Sequence, residues 1–243
     1  MRSIFVSLLL LLAVGTVMTR AAFADPKPIV IAIAGDSTVA DYKADDPHRG
    51  WGQLFPEFVD TAHVTVKNFA KNGRSTKTFL SEGLWDKTLT AKPDYVYIQF
   101  GHNDSHSKSH PEATDADTDY SQYLRQYVET ARAQGAKPIL VTPMHRGSWD
   151  VSGIHLTSEL QPYADAMKRV AAEKKVPVID LYTLSGAAFE KIGRDQLDTI
   201  FAIPTKDHTH FNEKGARLLA GIVATETAHV VPALRPYLKL PVL

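Results

Sequence analysis

Five short aliphatic runs alternate with helical segments along this chain, and the alternation limits the folds open to it more than any other feature. The runs cover residues 29–34, 64–69, 95–100, 138–142 and 176–181. Apolar residues recur at three- and four-residue steps within 120–131, 160–174 and 213–225, as in helices that bury one face. Strands alternating with helices imply right-handed crossovers and a mostly parallel sheet covered on both sides. The sequence therefore predicts an α/β fold, a three-layer α/β/α sandwich around about five strands.

The N-terminus has the three parts of a signal peptide. Arg2 supplies the positive end, residues 4–14 form an apolar run, and Ala22-Phe23-Ala24 is a small-x-small cleavage pattern. An uncleaved membrane anchor is the alternative, but the run is short for a bilayer span. We expect residues 1–24 to be removed and 25–243 to form one secreted or periplasmic domain without stable membrane insertion.

Charge and cysteine content exclude several classes of protein. The chain has 27 basic and 27 acidic residues, and removal of the predicted leader takes away two basic ones, Arg2 and Arg20. A net charge this close to zero does not indicate binding to nucleic acid or to anionic membranes. The chain has no cysteine, which excludes a thiol nucleophile and a thiolate metal site.

Polar, glycine-containing segments follow four of the predicted strands. They are Gly35–Thr38, Asn72–Ser75, Gly101–Asp104 and Thr142–Arg146. In an open parallel sheet, ligands bind outside the carboxyl ends of the strands. These segments are therefore expected to surround the functional site.

Ser37, Asp207 and His210 are the candidate catalytic residues. A serine hydroxyl is a weak nucleophile and needs a base, which in turn needs an orienting acceptor. If Asp207 and His210 lie three apart on one helical turn, the carboxylate reaches one imidazole nitrogen and leaves the other for Ser37. The alternative is that Ser37 caps a short helix after the first strand, and that Asp207 and His210 cap the last helix.

Acyl transfer also needs donors for an oxyanion. Three are available at the strand ends: the Ser37 amide, the Gly73 amide and the Asn103 side chain. The alternatives are a simple tight turn at Gly73 and a turn residue bonding its own backbone at Asn103.

These segments resemble the four blocks of the SGNH (GDSL-like) hydrolases. Gly35-Asp36-Ser37, Gly73, Gly101-x-Asn103-Asp104 and Asp207-x-x-His210 occur in the family's order and span most of the predicted mature chain. The resemblance implies a flavodoxin-like SGNH hydrolase fold, with Ser37 as nucleophile and His210 as the base that Asp207 orients. It also implies Ser37, Gly73 and Asn103 as the oxyanion hole.

Several details resemble the rhamnogalacturonan acetylesterase branch of that family. They are Thr38 where leucine is common, Gly50-Trp51-Gly52, and Thr209-His210-Phe211. The Gly-x-Ser-x-Gly pattern of ordinary α/β-hydrolases is absent around Ser37 and Ser75. Trp51 is the candidate stacking face for a sugar, and Arg49 and Arg146 are candidates for a uronate carboxylate, with core burial and surface solvation as alternatives.

Two patterns imitate metal sites. His102, His106 and His110 are spaced by four, but their surroundings are typical of a loop. Asp115-x-Asp117-x-Asp119 begins like a calcium loop, yet the glycine and glutamate that should follow are missing. No metal and no cofactor is therefore predicted.

The leading hypothesis is a secreted serine esterase that removes O-acetyl groups from a carbohydrate through an acetyl-enzyme on Ser37. Acetylated rhamnogalacturonan, a pectic polymer, or its oligosaccharides are the expected substrates. A short-chain lysophospholipase or thioesterase of the same fold and a noncatalytic glycan-binding protein are the alternatives. A metal-dependent phosphoesterase that uses the histidine-rich loop is a fourth hypothesis.

Overall fold

The predicted strands pair into one parallel sheet in the computed structural model, which describes residues 28–153, 155–157, 159–203 and 207–240. They are β1 (Ile29–Gly35), β2 (Val64–Asn68), β3 (Tyr95–Gln99), β4 (Lys137–Val141) and β5 (Val178–Ile179). Their spatial order is β2-β1-β3-β4-β5, the flavodoxin-like doubly wound order. The prediction of an α/β sandwich with a five-stranded parallel sheet is confirmed.

Eight α-helices connect and flank the strands of the described residues. They are α1 (Trp51–Leu54), α2 (Thr76–Ser81), α3 (Leu84–Leu89), α4 (Ser121–Ala133), α5 (Gln161–Lys174), α6 (Leu181–Ile192), α7 (Arg194–Leu197) and α8 (Glu213–Val230). The three helices expected from periodicity are α4, α5 and α8, and all three are present. The last extends past residue 225 because its apolar face continues along the sheet, with Thr227 and Ala228 also buried.

The two faces of the sheet carry separate hydrophobic cores. Side chains alternate along β1, so Ile31 and Ile33 join one core while Ala32 and Ala34 join the other. The first core includes residues of α1, α6 and α8, and the second includes residues of α2, α4 and α5. The sheet is therefore the middle layer of three, and its carboxyl edge is left for loops.

A two-stranded antiparallel ribbon lies beside the main sheet and was not predicted. It consists of β6 (Phe201–Ile203) and β7 (Asp207–Phe211). Phe211 is fully buried, and its carbonyl accepts a hydrogen bond from the Arg49 backbone at 2.8 Å. Immediately after β7, the Asn212 side chain caps α8 by accepting from the Gly215 amide. The ribbon thus joins the start of the last helix to the loop before α1.

The predicted signal peptide, residues 1–24, lies outside the described residues and stays a prediction. Within the part of the chain that the structure describes, none of the helices combines the length and the apolar character needed to cross a bilayer.

The turn after β1 packs backbone against backbone on the entry to α1. The Gly50 amide donates to the Ala40 carbonyl at 3.1 Å, and the Trp51 amide donates to the Thr38 carbonyl at 3.0 Å. A β-carbon on Gly50 would lie 2.2 Å from the Val39 carbonyl carbon. Since the backbone at Gly50 is extended, with φ −91°, the requirement for glycine is space and not conformation.

Substitution of Gly50 by alanine should therefore destabilise the fold by overpacking. We expect Gly50→Ala to lower the free energy of unfolding by about 3 kcal/mol or more, because the colliding atoms are backbone and cannot rotate away. Gly135→Ala is the matched control, since Gly135 has φ +81° but no atom within 4 Å of its added β-carbon. That variant should lose only about 1 kcal/mol from left-handed strain. Urea denaturation followed by circular dichroism measures both, and equal losses would contradict the close-approach argument.

Candidate active site

Ser37 lies in a tight turn immediately after β1. The amides of Val39 and Ala40 donate to the Asp36 carbonyl at 3.2 and 3.1 Å, which closes the turn. The short helix that the alternative interpretation placed after the first strand does not form, and the carbonyls of Thr38 and Ala40 instead accept the amides of Trp51 and Gly50. Ser37 itself is 8% exposed, so its hydroxyl stands at the surface of an otherwise buried turn.

A buried polar network fixes this turn. The Asp36 carboxylate accepts hydrogen bonds from the Thr38 amide at 2.9 Å and from the Thr38 hydroxyl at 2.6 Å. The Thr38 hydroxyl also accepts from Gln99 Nε2 at 2.9 Å. Burial raises the pKa of Asp36, but the adjacent His102 ring and the Thr38 bonds outweigh burial and lower it below its usual value. The carboxylate is thus ionised and hydrogen-bonded inside the protein.

Trp51 belongs to the same network and does not face a ligand. Its side chain is 0% exposed, and Nε1 donates to Gln99 Oε1 at 2.7 Å. The indole also packs edge-on against Phe55 and Tyr97. The prediction that Trp51 offers a stacking face to a sugar is therefore wrong, because the ring is enclosed in the core beneath the Ser37 turn.

Ser37, His210 and Asp207 form one continuous hydrogen-bonded chain. Ser37 Oγ lies 2.7 Å from His210 Nε2, and His210 Nδ1 lies 2.5 Å from Asp207 Oδ2. With the Nδ1 proton shared with the carboxylate, Nε2 is the acceptor for the serine proton. The structure brings together residues that are 173 positions apart in the sequence.

Asp207 and His210 lie on strand β7 and not on a helical turn. The helical spacing argument was therefore wrong, although the expected contact is present. Asp207 Oδ1 accepts the amides of Thr209 at 2.7 Å and of His210 at 3.2 Å, which folds the carboxylate back along the strand. Burial raises the pKa of Asp207, but its bond to His210 and these amide bonds prevail and lower it. Asp207 is thus a carboxylate at neutral pH, as an orienting acceptor must be.

An open cavity of about 420 Å³ lies in front of the Ser37 hydroxyl. Its lining residues are Ser37, Tyr42, Asp46, His48, Asn72, Gly73, Asn103 and His210. Seven of these residues lie in the loops that follow β1, β2 and β3, and His210 lies on β7. Apart from Gly73, each lining residue carries a hydroxyl, carboxylate, imidazole or amide group that can hydrogen-bond to a hydrophilic ligand.

Ser37, Gly73 and Asn103 bring three hydrogen-bond donors to this cavity. The Ser37 and Gly73 amides have no acceptor among the described residues. Gly73 has φ +76° and open space where a β-carbon would be, so its left-handed turn explains the glycine. Asn103 is 8% exposed and uses one amide hydrogen on the Arg74 carbonyl, at 3.0 Å, which leaves the second hydrogen free. The Asn103–Arg74 bond joins the loops after β3 and β2.

Asp104 holds the same two loops together from beneath. Its buried carboxyl group accepts from the Thr76 amide at 3.1 Å, from the Thr76 hydroxyl at 2.5 Å and from the Thr114 hydroxyl at 2.9 Å. Burial raises the pKa of Asp104 to about 7, against the opposing effect of these hydrogen bonds. The sequence analysis assigned no role to Asp104, although this residue directly follows Asn103 in a polar segment at the end of a predicted strand.

Arg49 and Arg146, the predicted carboxylate binders, are both engaged by protein acceptors. The Arg49 guanidinium donates to the backbone carbonyls of the loop 43–48, among them His48 at 2.6 Å. Arg146 donates to the Thr209 hydroxyl at 2.6 Å and to the His102 carbonyl at 3.3 Å. Arg49 therefore braces a cavity loop, and Arg146 braces the strand that carries His210. Their role in substrate binding stays a prediction.

The histidine-rich loop divides into two parts. His102 is buried, and its Nδ1 lies 3.4 Å from Asp36 Oδ2 without the alignment of a good hydrogen bond. Burial lowers the pKa of His102, which favours its neutral form. The ligand atoms of His106, His110 and Glu112 lie within 4.8 Å of one another, close enough to hold a metal ion. That cluster is partly exposed, and its residues are not among those that line the cavity.

The acidic run before α4 acts as a helix cap. The Asp115 side chain accepts from the Asp117 and Thr118 amides, at the start of a π-helical turn (Ala116–Tyr120) that leads into α4. This agrees with the expected polar lead-in to a helix.

Sequence reasoning missed three residues of the cavity: Tyr42, Asp46 and His48. The Tyr42 hydroxyl donates to the Ser37 carbonyl at 2.8 Å. The His48 ring meets the His210 ring edge to face, with 5.6 Å between centroids. These residues lie in a loop without periodicity or glycine pattern, so no local signal separated them from ordinary surface residues.

Comparison with known proteins identifies the family of this chain. A sequence model of the GDSL-like lipase/acylhydrolase family matches residues 33–218, which include Ser37, Gly73, Asn103, Asp207 and His210. The chain belongs to the GDSL-like lipase/acylhydrolase family. It is accordingly an enzyme, a carboxylic ester hydrolase, and the predicted SGNH resemblance is confirmed.

Two relatives from Bacillus subtilis (strain 168) match most of the chain. One is named probable rhamnogalacturonan acetylesterase YesY, with 41% identity over 80% of this chain and 90% of its own. The other is named rhamnogalacturonan acetylesterase RhgT, with 38% identity over 82% of this chain and 89% of its own.

Solved structures show the same fold. Protein YxiM from Bacillus subtilis superposes with a TM-score of 0.73 at 28% identity, over 84% of this chain and 57% of the YxiM chain. A catalytic variant of the acetylxylan esterase Axe2 from Geobacillus stearothermophilus superposes with a TM-score of 0.64. The sequence identity is 17%, over 82% of this chain and 94% of the Axe2 chain, so this likeness supports only the fold.

Removal of the Asn103 side chain should slow catalysis more than it weakens binding. We expect Asn103→Ala to lower kcat by roughly a hundredfold to a thousandfold with little change in KM, as for other single oxyanion donors. Asn72→Ala is the control, because it removes the same type of side chain from the same cavity at a residue that is not a proposed oxyanion donor. Steady-state hydrolysis of 4-nitrophenyl acetate gives both constants. A change confined to KM would make Asn103 a binding residue.

Proposed function

We propose that this chain is an exported carbohydrate O-acetylesterase that acts on acetylated rhamnogalacturonan or its oligosaccharides. The observation that carries the proposal is the hydrogen-bonded chain Ser37–His210–Asp207 beside an open cavity whose lining residues carry polar groups. The names of the two Bacillus subtilis relatives support the substrate.

In the proposed mechanism, Ser37 Oγ attacks the acetyl carbonyl while His210 Nε2 takes its proton. The tetrahedral intermediate collapses, the bond to the sugar oxygen breaks, and His210 returns the proton to that oxygen. The products of this first half are the free sugar hydroxyl and an acetyl-enzyme. Water, deprotonated by His210, then attacks the acetyl carbon, and acetate leaves as Ser37 regains its proton. Asp207 stays ionised and stabilises the imidazolium in both halves.

The oxyanion of both intermediates is proposed to rest on the donors from three strand ends. The Ser37 and Gly73 amides have no acceptor among the described residues, and Asn103 retains a free amide hydrogen. The Asn103–Arg74 and Asp104–Thr76 bonds hold these donors in place before substrate arrives. Preorganised donors stabilise developing charge without having to reorient during the reaction.

The cavity favours a short acyl group on a polar alcohol over a fatty ester. Asp46, His48, Asn72 and Asn103 give its wall charged, imidazole and amide groups. A fatty-acyl tunnel would gain about 0.8 kcal/mol for each buried methylene, whereas an open cavity leaves much of a long chain in water and offers little such gain. This observation argues against the lysophospholipase and thioesterase alternatives.

Export is the second part of the proposal. It rests on the leader pattern of residues 1–24, with its positive end, apolar run and small-x-small site. A polymer too large to enter a cell requires an enzyme in the periplasm or outside the cell.

Acyl-chain profiling tests the substrate class. The specificity constant kcat/KM for 4-nitrophenyl esters should fall steeply from acetyl to octanoyl, because the open cavity does not enclose a longer chain. Among polymers, acetylated rhamnogalacturonan should release acetate fastest, and Ser37→Ala should release none above background. A rise toward octanoyl would indicate a lipid esterase instead. Acetate release from acetylated xylan but not from rhamnogalacturonan would preserve the chemistry and overturn the polymer.

A further inference from the structure

A second histidine–aspartate pair stands beside the first at the cavity. His48 Nδ1 lies 2.6 Å from Asp46 Oδ1, and the same oxygen accepts the His48 amide at 2.9 Å. These bonds hold the pKa of Asp46 below its usual range, so the carboxylate is ionised at neutral pH. Both residues line the cavity, and none of the steps described above uses them.

The pair is braced on both sides. Arg49 donates to the backbone carbonyls of Asp46 and His48, which fixes the course of their loop. The His48 ring packs against Tyr42, with 5.5 Å between centroids, and the Tyr42 hydroxyl is bonded to the Ser37 carbonyl. The loop position is thereby tied to the position of Ser37. A binding group held this firmly is already in place when substrate arrives.

His48 offers one polar atom to a ligand. Asp46 takes Nδ1 as a donor, which leaves Nε2 as a hydrogen-bond acceptor in the neutral ring. Nε2 has no partner among the described residues, and the His48 side chain is 22% exposed. The edge-to-face contact with the His210 ring places His48 next to the group that returns a proton to the leaving alcohol.

His48 is not a second base for Ser37. Ser37 Oγ is already bonded to His210 Nε2 at 2.7 Å, and Asp207 completes that chain. An ionised carboxylate ligand does not fit, because it has no proton to donate to the Nε2 acceptor. A hydroxyl group, which donates one proton to Nε2, satisfies both conditions.

We propose that His48, oriented by Asp46, is a subsite for a sugar hydroxyl adjacent to the acetylated carbon. The hydroxyl donates to His48 Nε2 while the ester carbonyl lies at Ser37. The inference rests on the proposed carbohydrate acetylesterase function and adds the group that recognises the alcohol side of the ester. The ligand class is a sugar monoacetate with a free vicinal hydroxyl.

The test is a double-mutant cycle between His48 and that hydroxyl. The substrates are a methyl glycoside monoacetate, its deoxy analogues that each lack one hydroxyl next to the ester, and phenyl acetate, an ester without hydroxyls. His48→Ala should lower the ratio of kcat/KM for the monoacetate over that for phenyl acetate by about fivefold to a hundredfold, the range for one lost hydrogen bond. Deleting the recognised hydroxyl should cost the wild type a similar factor and cost His48→Ala much less.

His63→Ala is the matched control variant. His63 Nδ1 lies 2.7 Å from Asp60 Oδ2, the same type of pair, but neither residue lines the cavity. This variant should keep the wild-type ratio. His48→Gln, which retains an acceptor atom, should recover part of the ratio, and thermal unfolding of each variant shows whether it is folded.

Four outcomes would overturn the subsite. Equal losses on the monoacetate and on phenyl acetate would mean that His48 acts through His210. Additive effects of the substitution and of every hydroxyl deletion would mean that His48 contacts none of these hydroxyls. A loss confined to substrates bearing a uronate carboxylate would make the ligand an anion. A wild-type enzyme that hydrolyses phenyl acetate but no sugar monoacetate would overturn the proposed function together with the subsite.

Discussion

The carboxylate of Asp36, buried at the end of β1, holds the turn on which Ser37 stands. It accepts both donors of Thr38, and the Thr38 hydroxyl continues through Gln99 to the indole of Trp51. The Thr38 hydroxyl, the Gln99 amide and the Trp51 indole each find a hydrogen-bond partner within this chain, as buried polar groups generally do. Gly50 closes the arrangement by letting the α1 entry touch the turn backbone. The direction of the Ser37 hydroxyl therefore depends on contacts made below it in the core.

The site is assembled from loops that only the sheet brings together. The turn after β1 supplies Ser37, the loop after β2 supplies Gly73, the loop after β3 supplies Asn103, and β7 supplies His210. Asp104 and the Asn103–Arg74 bond join two of these loops directly, while Arg146 connects the loop after β4 to Thr209 on β7. Because these bonds exist without a ligand, the geometry for acyl transfer is set by folding.

The sequence was informative where the signal was local. The aliphatic runs and the amphipathic segments between them predicted about five strands in a mostly parallel sheet, since a buried strand and an amphipathic helix differ in periodicity. Asp207 and His210 were paired correctly but on a helical turn, because a three-residue spacing does not reveal that β6 pairs with β7. Trp51 was misjudged because its burial depends on Gln99, a partner 48 residues away. His48 escaped notice for the same reason, as its significance lies in its contact with His210.

The central claim is that the hydroxyl of Ser37 carries the acetyl group between the two halves of the reaction. Acid quenching during turnover of 4-nitrophenyl acetate, followed by proteolysis and peptide mass spectrometry, tests it directly. The account predicts one acetyl group on the peptide that contains Ser37, localised to that residue and absent when the Ser37→Ala variant is treated identically. Acetylation of a different side chain that disappears on chase with turnover, or wild-type turnover by Ser37→Ala, would contradict it.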